Sequence, residues 1–322
     1  MNWIYIMAAR TPRKGTSEYK VKNWREYEAG LIRRGSITFW FSDEALADWH
    51  PCISKKTRGG QKKYSDVAIQ TCLTMRLIYK LGLRQTEGFV NSLIGLLDVD
   101  ISSPDHTTMS RRSVDLEVVT EALKQDGDLD ILIDSTGLKV FGAGQWREEK
   151  HGKGKRKIWK KLHMAVDQKS HIIAASTLTT HLVGDSSQVI PLLDQIEGDV
   201  ASVKADGAYE GGPLRQELDG REIKGVFPPP SDAVLSKQAG SKPTQRDKDI
   251  MRIQKDGREV WEYASGYSKR NMVENAIFRY KNNIGDKLRS KTDDRQEVEV
   301  TLGIHLLNQM TKLGMPESVR VV

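Results

Sequence analysis

Short apolar runs bounded by turn residues dominate the chain from residue 129 onward. Five of them have the length and composition of β-strands: LDILID (129–134), KLHMAVD (161–167), HIIAASTLT (171–179), ASVKAD (201–206) and KGVF (224–227). The second and third form a closely spaced pair, whereas helical stretches at 185–196 and 211–219 separate the later ones. The segment 138–141 either continues the first strand or begins a neighbour. Strands that first meander and then alternate with helices predict a mixed α/β sheet with helices packed on it.

The chain before this sheet has a helical pattern. Three helices are expected to begin at 65–66, 86–87 and 103–104. The third is polar and ends at Arg111 and Arg112, which makes these two residues candidate DNA contacts. Three short helices in this order are typical of a helix-turn-helix module, and a generic helical bundle is the alternative.

The charge balance favours polyanionic partners. Lys and Arg outnumber Asp and Glu by 50 to 43, for a net charge of +7, although many ordinary proteins share such a balance. Residues 10–25 indicate a mobile basic arm, or a solvated leader without a role. Two cysteines are too few for a disulfide framework, and the apolar run at 3–9 is too short to span a bilayer. We therefore expect a cytoplasmic protein that does not enter the membrane.

Two acidic residues stand where predicted strands end. Asp134 closes the first strand, and Asp206 closes the fourth. Each could simply cap the following turn, as Asp often does. Two carboxylates at the edge of one sheet, with few His or Cys residues nearby, also suit Mg²⁺ or Mn²⁺ rather than zinc. Both interpretations are open at this point.

The segment YSKRNMVENAIFRYK (267–281) has two adjoining helical faces. At about 100° per residue, Tyr267, Arg270, Glu274 and Lys281 fall within an arc of roughly 60°. An apolar stripe lies beside this arc: Val273, Ala276, Ile277, Tyr280 and Ile284. One interpretation is a solvated surface with an Arg270–Glu274 pair. The other is a phosphodiester site, in which the carboxylate holds metal and the cations hold phosphates.

These residues resemble the DDE transposases of bacterial insertion sequences, close to the insertion-sequence-five family within the larger insertion-sequence-four group. That family carries Tyr, two residues, Arg, three residues, Glu, six residues and Lys, which is the spacing from Tyr267 to Lys281. Its two Asp contexts match DSTGLK, which begins at Asp134, and DGAYE, which begins at Asp206. The resemblance spans residues 23–312.

The resemblance implies a ribonuclease-H-like mixed β-sheet flanked by helices, in which Asp134, Asp206 and Glu274 bind two Mg²⁺ or Mn²⁺ ions. It also implies that Tyr267 and the cations of the signature, Arg270 and Lys281, grip the terminal nucleotides and their phosphates. The expected domains are a flexible basic leader (1–22), an all-α helix-turn-helix-type DNA-binding region (23–120) and the catalytic domain (121–322) with an insertion near 225–265.

The function implied is cleavage of double-stranded DNA at the inverted repeats of the element, followed by joining of the freed 3′-hydroxyls to target DNA. The active form would be a homodimer or a higher oligomer, located on the bacterial nucleoid. Further candidate DNA contacts are Lys157, in the basic run at 150–161, and Trp261, which could stack on a displaced base or be a core residue. A structure-specific metal-dependent nuclease and a domesticated DNA-binding regulator are the alternatives.

Overall fold

Between residues 24 and 112 the described part of the chain is mainly helical, as its pattern predicts. The computed structural model describes residues 18–52, 59–118, 127–140, 159–236 and 243–321. Its first elements are β1 (Glu18–Val21), α1 (Trp24–Arg34), α2 (Ile37–Trp40), α3 (Asp43–Ala47), α4 (Asp66–Ile78), α5 (Leu83–Leu97) and α6 (His106–Arg112).

Local caps set the starts of α4 and α5. Ser65 caps α4 as predicted, because its hydroxyl accepts a hydrogen bond from a backbone N–H of the first turn at 3.0 Å. The start of α5 differs from the prediction, since the helix begins at Leu83 rather than at 86–87. The backbone N–H of Gly82 donates to the side-chain carbonyl of Gln85 at 2.8 Å, which closes the first turn earlier in the chain.

The end of the predicted leader belongs to the folded structure. The strand β1 (Glu18–Val21) pairs antiparallel with β8 (Ser318–Val321), near the other end of the chain. Beyond β1, the side-chain amide of Asn23 donates to the carbonyl of Met315 at 2.9 Å. Residues 18–21 of the predicted leader thus form a strand, while residues 1–17 lie outside the described part.

A central mixed sheet confirms the predicted α/β class. The remaining elements are β2 (Leu129–Val140), β3 (Trp159–Asp167), β4 (Ile173–Thr180), α7 (Val189–Leu193), β5 (Val200–Lys204), α8 (Gly212–Gly220), β6 (Lys224–Val226), α9 (Gln245–Asp256), α10 (Arg258–Ser265), α11 (Asn271–Asn283), β7 (Lys287–Leu288) and α12 (Asp293–Lys312). The strand order is β4-β3-β2-β5-β6. The pairs among β2, β3 and β4 are antiparallel, whereas β5 is parallel to both β2 and β6.

Helices cover both faces of the sheet because both faces of its central strands are apolar. Ile131 and Ile133 of β2 face a cluster built with α7 and α8. Leu132 and Leu138 face a second cluster that takes in α11 and α12. This second cluster continues into α4, α5 and α6, so one apolar core runs across the predicted boundary at residue 120.

The first strand of the sheet is longer than the sequence predicts. β2 runs without interruption from Leu129 to Val140, so residues 138–140 continue the first strand. Asp134 therefore lies within a strand and not at its end. Antiparallel pairing with β3 extends as far as Lys139 and keeps β2 extended past the carboxylate.

The predicted insertion near 225–265 contains the two helices α9 and α10. Among the described helices, none is both long and apolar enough to cross a membrane.

Candidate active site

An uncovered stretch of β2 forms the base of the candidate site. β5 pairs with β2 only as far as Leu132, and β7 joins the same side of β2 at Lys139. Between these points, none of the described strands covers that side, and Asp134 lies in this gap. β5 is parallel to β2 and ends at Lys204, so that Asp206 follows its carboxyl end. Carboxyl ends of parallel strands are where ligands commonly bind in open α/β sheets.

Asp134 is the most enclosed carboxylate of the site, with 22% of its side chain exposed. One oxygen accepts the backbone N–H of Ser135 at 2.8 Å, and the other lies 3.4 Å from a guanidinium nitrogen of Arg270. Burial raises the pKa of Asp134, and the negative charges of Glu274 and Asp206 act in the same direction. Arg270 opposes this increase, so the guanidinium is the local counter-charge.

Glu274 is brought to the site by the apolar side of α11. Val273, Ala276 and Tyr280 are buried, which confirms most of the predicted stripe and fixes the helix against the sheet. Glu274 lies in the first turn of this helix, with 49% of its side chain exposed. A guanidinium nitrogen of Arg270 is 2.5 Å from one of its carboxylate oxygens.

Arg270 joins Asp134 to Glu274. Its side chain is only 17% exposed and contacts both carboxylates. Burial acts to lower the pKa of Arg270, but Tyr267 and the surrounding carboxylates outweigh that effect and raise it. The arginine therefore keeps its charge at this site.

Tyr267 lies outside the helix that carries Glu274. It begins a 3₁₀ turn that ends at Arg270, because Gly266 takes a left-handed backbone conformation with φ of 72° and separates the turn from α10. The Tyr267 ring lies 5.8 Å from the guanidinium carbon of Arg270 and 5.7 Å from the ring of Trp261. Burial raises its pKa, so its hydroxyl is neutral.

Asp206 is exposed and begins a second 3₁₀ turn, Gly207–Tyr209. Its carboxylate accepts the backbone N–H of Gly207 at 2.6 Å. A side chain at Gly207 would lie 2.9 Å from the carbonyl oxygen of Pro228, so the turn needs glycine there. The charge of Asp206 acts on Asp134 and on Arg270, which places all three acids in one electrostatic environment.

The three carboxylates suit a hard divalent cation in their chemistry. Within the described ranges, no three His, Cys, Asp or Glu side chains are close enough together to hold a metal ion. Arg270 already provides one positive charge between Asp134 and Glu274. Carboxylate oxygens arranged around a cation are the donor set that Mg²⁺ and Mn²⁺ prefer. The donor types therefore fit such ions, while the three side chains do not converge on one point in this structure.

Lys281 does not join this cluster. It lies in the last turn of α11, about 10 Å along the helix from Glu274. The hydrogen bond from Lys139, at 2.7 Å, lowers the pKa of Asp286, and the charge of Lys281 acts in the same direction. Phe278 on the same helix, which does not fit either predicted face, is 65% exposed.

The two arginines at the end of α6 have different environments. Arg112 points inward, donating to the carbonyl of Tyr64 at 2.8 Å and to the carboxylate of Asp66. Arg111 is exposed, and its guanidinium donates to the hydroxyl of Thr108 at 3.4 Å. The helix starts at His106 and not at the predicted 103–104, because the Asp105 side chain accepts two backbone N–H groups of its first turn.

Of two further candidates, only Trp261 lies among the described residues, and it is buried. Trp261 is 1% exposed, and its indole N–H donates to Asp249 at 3.0 Å, as expected for the alternative in which it is a core residue. The Trp261 ring is enclosed, so we do not propose that it stacks on a base. Lys157 lies outside the described residues, as does the rest of segment 141–158.

The sequence interpretation missed Tyr209, which ends the turn after Asp206. The residue is 2% exposed, and burial raises its pKa, with Asp134, Asp185 and Asp206 acting in the same direction. A buried phenol beside acidic residues is a recognisable active-site feature. The only signal for it was its place in DGAYE.

Comparison with known proteins identifies the family. Two family models, both described as a transposase DDE domain, match residues 32–143 and 125–309. A piggyBac transposase in a synaptic complex with hairpin DNA is similar at 12% identity, over 92% of this chain and 84% of that one, with a TM-score of 0.29. A pre-cleavage Mos1 transpososome is similar at 9% identity, over 90% and 98%, with a TM-score of 0.21. Because the second family model spans more than half of the 322 residues, the chain belongs to the transposase DDE domain family.

Proposed function

We propose that this protein is a transposase of the insertion-sequence-five type, which cleaves DNA at the ends of its element and joins the freed 3′-hydroxyls to target DNA. The observation that carries the proposal is the contact of one guanidinium, that of Arg270, with both Asp134 and Glu274. These acids are separated by 140 positions in the chain, and they meet at the uncovered part of β2 beside Asp206. The Tyr, Arg, Glu and Lys signature supports assignment to this family.

Asp134, Asp206 and Glu274 would hold two Mg²⁺ or Mn²⁺ ions. When bound, such ions stabilise the charge that develops on a phosphoryl group and activate the attacking oxygen. A ribonuclease-H-like core is the fold that we propose for this chemistry. The mixed sheet supports it, with its antiparallel strands β2–β4 and its parallel strands β5 and β6.

Arg270 would exchange carboxylate contacts for a phosphate of the DNA end. Its planar guanidinium binds a carboxylate and a phosphate with similar geometry, so the exchange needs a side-chain movement rather than a new residue. Tyr267 lies against Arg270 and would guide it while contacting the terminal nucleotide. Lys281 would bind a phosphate further along the strand, because it lies at the far end of α11.

The helices α4, α5 and α6 would form the helix-turn-helix-type region that binds the inverted repeats, with Arg111 at the DNA surface. Their shared core with the sheet would hold that region in a fixed position relative to the carboxylates. Two element ends have to be brought together for transposition. We therefore propose that the DNA-bound form contains at least two copies of the chain and acts on the bacterial nucleoid.

The test is cleavage and strand transfer of labelled DNA that carries the inverted repeats flanking the gene. Wild-type protein with Mg²⁺ should release 3′-hydroxyl ends and join them to a plasmid, whereas Asp134→Asn and Glu274→Gln should do neither. Glu217→Gln is the matched control, since this exposed glutamate pairs only with Arg221 among the described residues. Cleavage without joining would indicate a structure-specific nuclease, and specific binding without cleavage would indicate a regulator.

A further inference from the structure

Arg76 on α4 is a mostly buried cation that pairs with no carboxylate of the described residues. Its Nε atom is buried and has no hydrogen-bond partner among them. The similarly enclosed Arg112, Arg215 and Arg270 each contact a carboxylate. An arginine keeps its positive charge in a protein, so Arg76 carries the cost of an enclosed charge without a direct counter-ion. That cost calls for a ligand.

The guanidinium of Arg76 lines a small pocket between the helical region and α12. The polar part of the lining also contains Ser113 at the end of α6, together with Ser290, Arg295 and Glu299. The pocket has a volume of about 20 Å³, which is room for one or two oxygen atoms and not for a nucleobase. A ligand of this pocket therefore inserts only a small polar group.

The pocket has an excess of positive charge. Glu299 is its one acidic residue, and both carboxylate oxygens are already occupied, by the backbone N–H groups of Arg289 at 2.9 Å and Ser290 at 2.8 Å. Arg295 adds a second guanidinium, whose Nη2 atom has no hydrogen-bond partner among the described residues. Two cations with unused donors beside one satisfied carboxylate suit an anion with acceptor oxygens.

The pocket adjoins the end of α6, which carries the exposed Arg111. Ser113 follows Arg111 by two residues, and the Nε atom of Arg295 donates to the carbonyl of Ser110 in the same helix at 2.9 Å. DNA that contacts Arg111 would bring its row of backbone phosphates close to the pocket. The phosphodiester group is therefore the anion that this position favours.

We propose that the pocket binds a backbone phosphate of the end DNA, with Arg76 and Arg295 as the donors. The two anionic oxygens of a phosphodiester match the size of the pocket, and guanidinium groups bind them through N–H donors. The contact fixes the position of the DNA on the helical region and carries no sequence information. This inference rests on the proposed function, since it assumes that α4, α5 and α6 bind the DNA end.

The experiment measures the Kd for labelled end DNA by fluorescence anisotropy over a range of salt concentrations. Arg76→Gln should weaken binding about 10-fold, and the slope of log Kd against log salt should fall by about 0.9, the value for one phosphate contact. The loss should be the same for a shuffled sequence. Its thermal unfolding midpoint without DNA should be unchanged or higher, because an enclosed charge has been removed. Arg221→Gln is the matched control, since this arginine is exposed and pairs with Asp194 and Glu217; its Kd and slope should equal those of wild type.

A scan of neutral methylphosphonate linkages along the end DNA identifies the phosphate concerned. One position should weaken binding by the wild type about 10-fold and leave Arg76→Gln unaffected, which is the coupling expected of a direct contact. Wild-type affinity in Arg76→Gln, or equal losses in both proteins at every position, would overturn the inference. It would also fall if sulfate stabilised the wild type but not Arg76→Gln while both bound DNA equally, because the pocket would then take a free anion.

Failure of the proposed function has a different signature. The wild-type protein would then bind and cleave end DNA no better than the shuffled sequence, and the inference would fall with it. Specific cleavage by the wild type together with unchanged DNA binding by Arg76→Gln would overturn the phosphate pocket alone.

Discussion

Removal of the Arg270 charge should destabilise the metal-free protein more than it destabilises the metal-bound protein. The substitution Arg270→Met keeps an unbranched stem and deletes the only cation that the structure places between Asp134 and Glu274 among the described residues. Lys269→Met is the matched control, since Lys269 is an exposed neighbour. In the variant, Asp134 remains largely enclosed beside two other carboxylates without its counter-charge.

The magnitude follows from the exposure of each pair. The Arg270–Glu274 pair spans one helical turn and half of the Glu274 side chain is exposed, so it contributes about 0.3–0.5 kcal/mol. The contact with Asp134 is more enclosed, at 17% and 22% exposure of the two side chains. Breaking a fully buried pair costs about 3–5 kcal/mol, and discounting for solvent screening leaves about 1–2 kcal/mol here. We expect a total loss of about 1.3–2.5 kcal/mol at neutral pH.

The assay is urea unfolding at neutral pH, with EDTA and with saturating Mn²⁺. In EDTA, Arg270→Met should unfold at a lower urea concentration than Lys269→Met, with an unchanged slope. Mn²⁺ should reduce the difference between the two variants, because a bound cation replaces the missing guanidinium charge. An equal loss in both variants, or a loss that Mn²⁺ does not reduce, would refute the role of Arg270 as counter-charge.

Two other predictions concern buried groups. His163 has a fully buried side chain, and burial lowers its pKa from 6.5. The unfolded chain therefore binds the proton more readily, so the contribution of His163 to stability is complete above pH 6.5 and is lost as the pH falls below that value. Below about pH 6.5, the unfolding midpoint of His163→Asn should therefore change less steeply with pH than that of wild type. Part of the pH dependence should remain, because burial also lowers the pKa of His171. An unchanged slope would contradict the prediction. Trp261→Phe deletes the hydrogen bond to Asp249 and should cost about 1–2 kcal/mol in urea unfolding. The affinity of Trp261→Phe for end DNA, measured by fluorescence anisotropy, should equal that of wild type. Weaker DNA binding by this variant at unchanged stability would show that Trp261 contacts a base of the DNA.

The local patterns of the sequence predict the secondary structure around the site well. Alternating and continuous apolar runs identify the strands, because burial of the sheet faces requires them. The stripe that includes Val273 and Tyr280 identifies the buried side of α11 for the same reason. Periodicity does not distinguish an α-helix from the 3₁₀ turn that precedes it, so it does not reveal that Tyr267 lies outside α11.

Local sequence patterns do not predict contacts between segments that are distant in the chain. The spacing of Arg270 and Glu274 predicts their ion pair, and this pair is present in the structure. The contact of Arg270 with Asp134 depends on how α11 packs across β2, and neither segment encodes that alone. Likewise, the inward direction of Arg112 depends on Tyr64 and Asp66 in an earlier helix region. A charged residue at a helix end can bind DNA or another part of the protein, and only the tertiary structure reveals a contact within the protein.

Replacement of Glu274 by cysteine tests most directly whether the carboxylates hold the ion that supports DNA cleavage. A thiolate is a softer ligand than a carboxylate, so Glu274→Cys should cut end DNA at least about 100-fold more slowly than wild type with Mg²⁺. Mn²⁺ or Cd²⁺ should restore part of the rate, and Glu217→Cys should behave as wild type with every ion. Undiminished cleavage by Glu274→Cys with Mg²⁺, or an equal loss with all three ions, would contradict direct coordination by Glu274.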